Sequence, residues 1–181
     1  MGWAILVSDD RRLPDPRPAL ARIRPGAFLL ARHYDSPIRA DLIAGWAKLA
    51  RARRVGLLVA ADWRLAARLG ADGLHLPEHL ARHGCLAPAL GWVRRRRAVL
   101  TVACHGQAAL ARASALNATA ALLSPVFPTA SHPGAAAIGP ARWRLWARRA
   151  GLAVIALGGV GQRQVRFLRP AAGFAAIGGW R

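Results

Sequence analysis

The sequence predicts an α/β fold, a compact (β/α)8 barrel that lacks most of its final helix. Eight short apolar runs alternate with longer segments of helical period, the pattern of strand–helix units around a parallel sheet. Eight such units favour closure into a barrel, and an open doubly wound sheet is the alternative. The 181 residues and 54% hydrophobic content suit one domain, residues 1–181. Only four residues follow the eighth predicted strand, which leaves little for a last helix.

Each predicted strand is a short apolar run next to Gly, Pro, Arg or polar residues. In chain order the strands are 4–7, 27–30, 55–59, 73–76, 98–102, 120–123, 154–157 and 174–177. Four prolines in 14–25 limit the first helix to about one turn, because each removes a backbone donor. The helices that follow place Leu, Ala or Trp on one face and Arg on the other. They are 39–53, 63–69, 107–116, 140–150 and 162–168.

The chain is strongly basic, with a formal charge of +19. Such a charge attracts nucleic acid and other polyanions. Lys48 is the only lysine, however, and arginines occur along nearly every predicted helix, so we interpret the charge as solvated helix faces. Nucleic acid is therefore expected to bind only non-specifically. The one true run, 94–97, precedes a predicted strand and lies away from the end of a barrel that carries active sites.

The cysteines and the N-terminus point to a cytoplasmic protein. Cys85 and Cys104 lack the spacing of a zinc site or disulfide framework, so reduced thiols are expected. No apolar stretch reaches the length of about 18 residues that a membrane span needs. The first strand lacks the basic region that precedes a signal sequence. We expect no membrane partner. A homo-oligomer is an alternative, because a partner subunit could occupy the place of the missing helix.

The loops that follow the last predicted strands carry groups suited to an anion. Residues 124–134, after strand six, supply hydroxyls, an imidazole and a glycine without an acidic side chain. Residues 158–161, after strand seven, place glycines between a strand and a helix, where backbone N–H groups can approach a phosphate. Gly178 follows strand eight, and the loops after strands seven and eight are the usual phosphate site of such barrels.

The order of four motifs resembles the thiamine phosphate synthase family, which includes the TenI thiazole tautomerases. These motifs are GADGLHL at 70–76, ACH at 103–105, SPVFPT at 124–129 and LGG at 157–159. The resemblance covers about 57–177 and implies a TIM barrel. It also implies a transferase reaction of thiamine biosynthesis, in which a pyrimidine diphosphate is joined to a thiazole phosphate with magnesium and pyrophosphate is released.

The resemblance implies phosphate-binding roles for residues in the second half of the chain. Thr129 and Ser131 would contact phosphate or pyrophosphate oxygens. Main-chain N–H groups would hold the thiazole phosphate at Gly158, Gly159, Ile177 and Gly178.

The first half departs from the family pattern. ARHYD at 31–35 replaces Q-x-R-x-K, which leaves Arg32 and His33 as the candidate phosphate-binding side chains. The carboxylates that hold magnesium are displaced, and Asp62 and Glu78 are the candidates that remain. Magnesium prefers oxygen ligands in octahedral geometry, so we expect at most a degenerate metal site. Ala103 replaces the serine of S-x-H, and His132 replaces the lysine of the pyrophosphate loop.

Two histidines at strand ends, His105 and His132, are candidate catalytic acids or bases near neutral pH. His75 lies inside a strand, where a hydrogen-bonded core role is expected. His79 and His83 have the spacing of a helix face, which favours solvent exposure over metal binding.

The first hypothesis is a thiamine phosphate synthase-like transferase with phosphorylated thiazole and pyrimidine substrates. The enzymatic alternative is a metal-free thiazole phosphate tautomerase, whose proton transfer needs no carboxylate pair. The other alternative is a catalytically inactive barrel that binds a phosphorylated ligand.

Overall fold

The structure is a computed structural model that describes residues 2–129, 136–165, 167–168, 171–178 and 180. Eight parallel strands follow one another around a closed barrel, and the last pairs with the first. This confirms the predicted (β/α)8 TIM barrel. The strands are β1 (Trp3–Val7), β2 (Phe28–Ala31), β3 (Gly56–Ala60), β4 (Gly73–Leu76), β5 (Val99–Cys104), β6 (Ala120–Leu123), β7 (Ala153–Leu157) and β8 (Gly173–Ala176).

Helices between the strands cover the outside of the barrel. They are α1 (Arg17–Leu20), α2 (Arg39–Ala52), α3 (Trp63–Leu69), α4 (Glu78–His83), α5 (Ala87–Arg96), α6 (Gln107–Ala115), α7 (Pro140–Arg149) and α8 (Gln162–Val165). The proline-rich segment forms only the short α1, as its composition predicts. Two helices, α4 and α5, fill the connection between β4 and β5, where the sequence had suggested only a helical spacing.

Alternating strand residues divide the core into two clusters. Ile5, Leu30, Leu58 and Leu122 belong to the cluster inside the barrel. Their chain neighbours on the same strands, such as Leu6, pack outward against the helices in the second cluster. This alternation is the period of two that a parallel barrel imposes, with one face toward the barrel axis and the other toward the helices.

The arginine run ends α5, far from the carboxyl ends of the strands. Arg94, Arg95 and Arg96 form the last turn, and Arg97 terminates the helix with a left-handed φ of 50°. The chain then enters β5 at its amino end. Within the described residues, no helix is both long enough and apolar enough to span a membrane.

Candidate active site

A cavity of about 730 Å³ opens at the carboxyl ends of the strands. This volume lies within the range of about 300–1,000 Å³ typical of small-molecule sites. The side chains of Leu30, Leu122 and Leu157 supply apolar lining, and polar groups come from the loops that follow β1, β2, β4, β5 and β6. The candidate chemistry is therefore gathered at the end of the barrel where it was predicted.

His105 and Glu78 form a hydrogen-bonded pair on the cavity wall. Glu78 begins α4 directly after β4, and His105 follows β5. The imidazole Nδ1 lies 2.6 Å from Glu78 Oε2, and the backbone N–H of His105 donates to the same oxygen over 2.9 Å. An ionised carboxylate only accepts hydrogen bonds, so Nδ1 donates its proton to Glu78 and Nε2 is the ring nitrogen left for other partners. Such a pair can accept and return a proton.

His75 lies deeper, beside the same cavity, and is 3% exposed. Its Nδ1 lies 2.9 Å from Thr101 Oγ1 on the neighbouring strand. Burial, aided by the positive charge of Arg32, lowers the pKa of His75 to about 3. The ring is therefore neutral at physiological pH, in keeping with the expected core role, and it presents a polar surface without charge.

The loops after β6 and β7 are joined by backbone hydrogen bonds. Val126 N–H donates to Leu157 O over 3.0 Å, and Phe127 N–H donates to Gly158 O over 3.1 Å. Gly158 and Gly159 have φ values of +87° and +65°, which favour glycine. A Cβ on Gly158 would lie 2.7 Å from Pro125 Cα, and one on Gly159 would lie 2.8 Å from Phe127 Cβ. Close packing of the two loops thus requires both glycines.

Other residues of the second half fall at or beside the cavity. Thr129, Gly158 and Ile177 line it. Gly178 follows Ile177, and a Cβ there would meet nothing within 4 Å. The predicted roles of Ser131 and His132 lie outside the described residues. This side therefore offers mainly backbone groups, together with the hydroxyls of Ser124 and Thr129.

Arg32 and His33 are neighbours in sequence but point to different places. Arg32 lines the cavity, whereas His33 is 2% exposed and does not line it. The His33 Nε2 donates to Pro14 O over 3.2 Å, which leaves Nδ1 to accept from Ser8 Oγ over 3.0 Å. Ser8 Oγ in turn accepts the backbone N–H of Arg32 over 3.1 Å. His33 was predicted to contact phosphate, and the structure instead uses both ring nitrogens to tie β1, β2 and the proline-rich loop together.

Asp62 and Glu78, the candidate magnesium ligands, are each held by other groups. Asp62 caps α3 by accepting the N–H of Leu65 over 2.9 Å, lies 3.7 Å from Arg39 Nη1, and does not line the cavity. Glu78 contacts His105 and lies 3.5 Å from Arg82 Nη2. In the described part of the chain no group of three His, Cys, Asp or Glu side chains could hold a metal ion. These residues do not fit the magnesium site of the resemblance.

The loop after β1 brings to the cavity two arginines that the sequence did not single out, together with Asp9, a plausible oxygen donor in the sequence. Asp9, Arg11 and Arg12 line it. Asp9 Oδ1 accepts the backbone N–H groups of Arg11 and Arg12 over 3.2 and 3.0 Å, and an antiparallel bridge pairs Asp9 with Leu13. Burial would raise the pKa of Asp9, but these hydrogen bonds and the Arg12 charge outweigh it and lower that pKa. In the sequence this segment is only a polar loop. Closure of the barrel places it at the cavity.

Comparison with known proteins agrees with this architecture. The family model described as thiamine monophosphate synthase matches residues 24–179. A thiamine phosphate pyrophosphorylase structure from Pyrococcus furiosus has a TM-score of 0.73 and 18% identity over 97% of this chain and 84% of that one. The thiamine phosphate pyrophosphorylase of Bacteroides thetaiotaomicron gives a TM-score of 0.60 and 14% identity over 97% and 82%.

Barrels with other names are similar too. A 3-keto-L-gulonate-6-phosphate decarboxylase structure from Vibrio cholerae has a TM-score of 0.69 and 11% identity over 97% of this chain and 88% of that one. No curated protein matches the chain by sequence. At these identities the structural similarities establish the fold, and the family model carries the assignment.

Proposed function

Because the chain belongs to the thiamine monophosphate synthase family, we propose that it joins hydroxymethylpyrimidine diphosphate to thiazole phosphate and releases pyrophosphate. The observation that carries this proposal is one cavity with unlike sides. Arg32 follows β2 on one side, and Gly158 and Ile177 follow β7 and β8 on the other. A volume of about 730 Å³ has room for two small phosphorylated molecules side by side.

In this proposal the second half binds the thiazole phosphate. Main-chain N–H groups at Gly158, Gly159, Ile177 and Gly178 suit phosphate oxygens, and Thr129 adds a hydroxyl. The thiazole ring nitrogen would then face the centre of the cavity.

The first half would hold the pyrimidine diphosphate. The thiazole nitrogen supplies an electron pair to the pyrimidine methylene carbon, and the bond from that carbon to the diphosphate oxygen breaks with its electrons on the oxygen. Pyrophosphate leaves, and no proton transfer is needed to balance this step. Positive charge must stabilise the leaving group, and Arg32 is a side chain on this wall that can supply it.

The test is to incubate the purified protein with both substrates, with magnesium and with EDTA in parallel, and to measure thiamine phosphate. Product formation in either arm supports the synthase, and Arg32→Ala should then raise the KM for the pyrimidine diphosphate at least tenfold. No thiamine phosphate in either arm would overturn it. If calorimetry still detected binding of thiazole phosphate, the remaining interpretation would be an inactive barrel that binds a ligand.

One observation favours a second function, the tautomerisation of a thiazole phosphate. The His105 and Glu78 pair has the geometry of a general acid–base group, and proton transfer requires no leaving-group stabilisation. The assay is deuterium exchange into thiazole phosphate in heavy water without magnesium. Exchange that His105→Gln abolishes, while the protein still binds the thiazole, would support this function. Exchange that survives His105→Gln would overturn it.

A further inference from the structure

We propose that the end of the barrel opposite the cavity binds the phosphate backbone of a nucleic acid without reading its sequence. We call this surface the amino-end face. It consists of the last turns of α2, α3 and α5 and of the residues that lead into β3, β4 and β5. Its exposed arginines include Arg51, Arg54, Arg68 and the run 94–97. None of these residues lines the cavity, so this surface is separate from the candidate active site.

The two ends of the barrel differ in charge. A helix that directly follows a strand begins at the cavity end, and a helix that leads into a strand ends at the amino-end face. Carboxylates gather at the cavity end, where Asp41 and Glu78 lie in the first turns of α2 and α4 and Asp62 caps α3. Asp72, directly before β4, is the one acidic side chain that the structure describes at the amino-end face. Arginines therefore far outnumber carboxylates there.

Asp72 does not neutralise this charge. Its Oδ2 accepts the backbone N–H of Leu57 over 2.7 Å, and its main-chain oxygen accepts the N–H of Val99 over 2.9 Å. None of the salt bridges among the described residues involves Asp72 or an arginine of the amino-end face. The guanidinium groups there are exposed without a carboxylate partner, so the surface attracts a polyanion.

Helix stability does not explain the whole of the run 94–97. The helix dipole favours cations in the last turn of α5, and this preference falls off beyond that turn. Arg97 nevertheless extends the run past the helix, at a left-handed φ of 50°. Four adjacent like charges repel one another in the free protein. Binding of a polyanion relieves this repulsion, and α5 therefore ends in a group of cations suited to such a partner.

The composition of the amino-end face favours a nucleic acid over a membrane surface. Basic helices that bind lipid combine their charges with large apolar side chains that enter the bilayer. Trp92, the large apolar residue beside the arginine run, is only 7% exposed. The strongly exposed large apolar residues that the structure describes lie on other segments, and they are Tyr34, Ile38, Leu145 and Phe167. Guanidinium groups without such side chains suit phosphates that are contacted from outside.

The arginines also follow one another along the rim of the barrel. Arg54 and Arg97 each lie two residues before the first residue of a strand, β3 and β5, and β4 lies between these strands. Because adjacent strands are about 4.8 Å apart, the two backbone positions are separated by roughly 10 Å. Arg68, in the last turn of α3, leads toward β4 between them. Such a row suits successive phosphates, and contacts to phosphate carry no sequence information.

The test is fluorescence anisotropy with a short labelled DNA duplex, titrated with the full chain at several salt concentrations. Two variants, R51Q/R68Q and R94Q/R95Q, each remove two arginines of the amino-end face. The matched control, R142Q/R144Q, removes two exposed arginines from the first half of α7. We expect each face variant to weaken binding at least fivefold at about 50 mM salt, and the control to weaken it less than twofold. Each lost phosphate contact lowers the slope of log K against log salt by about 0.9, so each face variant should lower it by about 1–2.

Equal losses in the face variants and the control would overturn the proposal, because net charge and not a surface would then bind the duplex. Absence of duplex binding at low salt, or a strong preference for one base sequence, would also overturn it. So would tighter binding to vesicles that contain phosphatidylserine, with losses in the same face variants, since the partner would then be a membrane. Thermal melts establish that each variant is folded. The two face variants alter different helices, so one supplies the result if the other does not fold.

Discussion

The two sides of the cavity are built from different materials. After β7 and β8 the wall is made of glycine turns and backbone groups, and the family motifs survive there. After β1 to β4 it is made of charged side chains that contact one another, and there the family pattern is lost. Backbone N–H donors are kept when side chains are substituted, whereas one substitution is enough to remove a carboxylate or a lysine. The comparison explains why family membership is clearer than family chemistry.

The largest expected effect tests the backbone side. Gly159→Ala should lower the free energy of unfolding by about 2–4 kcal/mol, because the new methyl meets Phe127 Cβ at 2.8 Å in a left-handed conformation. Urea unfolding measures the change. Gly45→Ala is the control, since Gly45 lies in α2 with nothing within 4 Å of the added carbon, and helix propensity should raise stability by about 0.5–1 kcal/mol. A neutral Gly159→Ala would mean that the two loops can separate.

Beneath both sides, His75 should make stability depend on pH. The pKa of His75 in the folded protein is about 3, below the ordinary value of 6.5. The stability that the neutral, buried ring contributes to folding is therefore complete above pH 6.5 and is lost as the pH falls toward 3. Across this window the unfolded chain binds one more proton, at about 1.4 kcal/mol per pH unit. Urea unfolding from pH 7 to 4 should show a shallower slope in His75→Gln. Thr101→Val, which keeps the imidazole buried, should keep the parent slope, and equal slopes in all three would contradict the assignment.

A smaller effect distinguishes residues that stabilise the charged side of the cavity from residues that contact the ligand there. Ser8→Ala removes the hydroxyl between His33 Nδ1 and the Arg32 backbone, and it should cost about 1–2 kcal/mol of stability while leaving pyrophosphate affinity nearly unchanged. Arg32→Ala should do the opposite, weakening pyrophosphate binding with little loss of stability. Chemical denaturation measures the stability of both variants, and calorimetry measures their affinity for pyrophosphate. If Ser8→Ala weakened binding as strongly as Arg32→Ala, the Ser8 hydroxyl would be needed to position Arg32 for the ligand.

The smallest effect lies at the boundary between the two sides, at the end of β5. Burial raises the pKa of Cys104 to about 12, with a further contribution from Glu78, whereas Cys85 is exposed. One thiol per chain should therefore react with a maleimide in the native protein and both in urea, because the thiolate is the nucleophile. Mass spectrometry of the digested protein identifies the site. Rapid native labelling of Cys104 would mean that this strand end opens to solvent.

Local pattern was enough to predict the eight strands, the short α1 and the end of the barrel that carries the cavity. The helix α8 is shorter than the predicted 162–168, and α4 and α5 were not singled out. The role of His33 could not be found from its position in a motif, because its partners Ser8 and Pro14 lie on other segments. Arg11 and Arg12 gave no signal either. A charged loop has no periodicity, and only closure between β8 and β1 places it over the cavity.

The hydrogen bonds from Val126 and Phe127 to the β7 turn extend strand pairing past the end of β6. The start of the β6 loop at Val126 and Phe127 should therefore move together with the turn after β7. Amide protons at these two positions should exchange with solvent on the slow timescale of the barrel strands. An anion that binds at the glycine turn would then restrain the backbone of Val126 and Phe127 through these two hydrogen bonds.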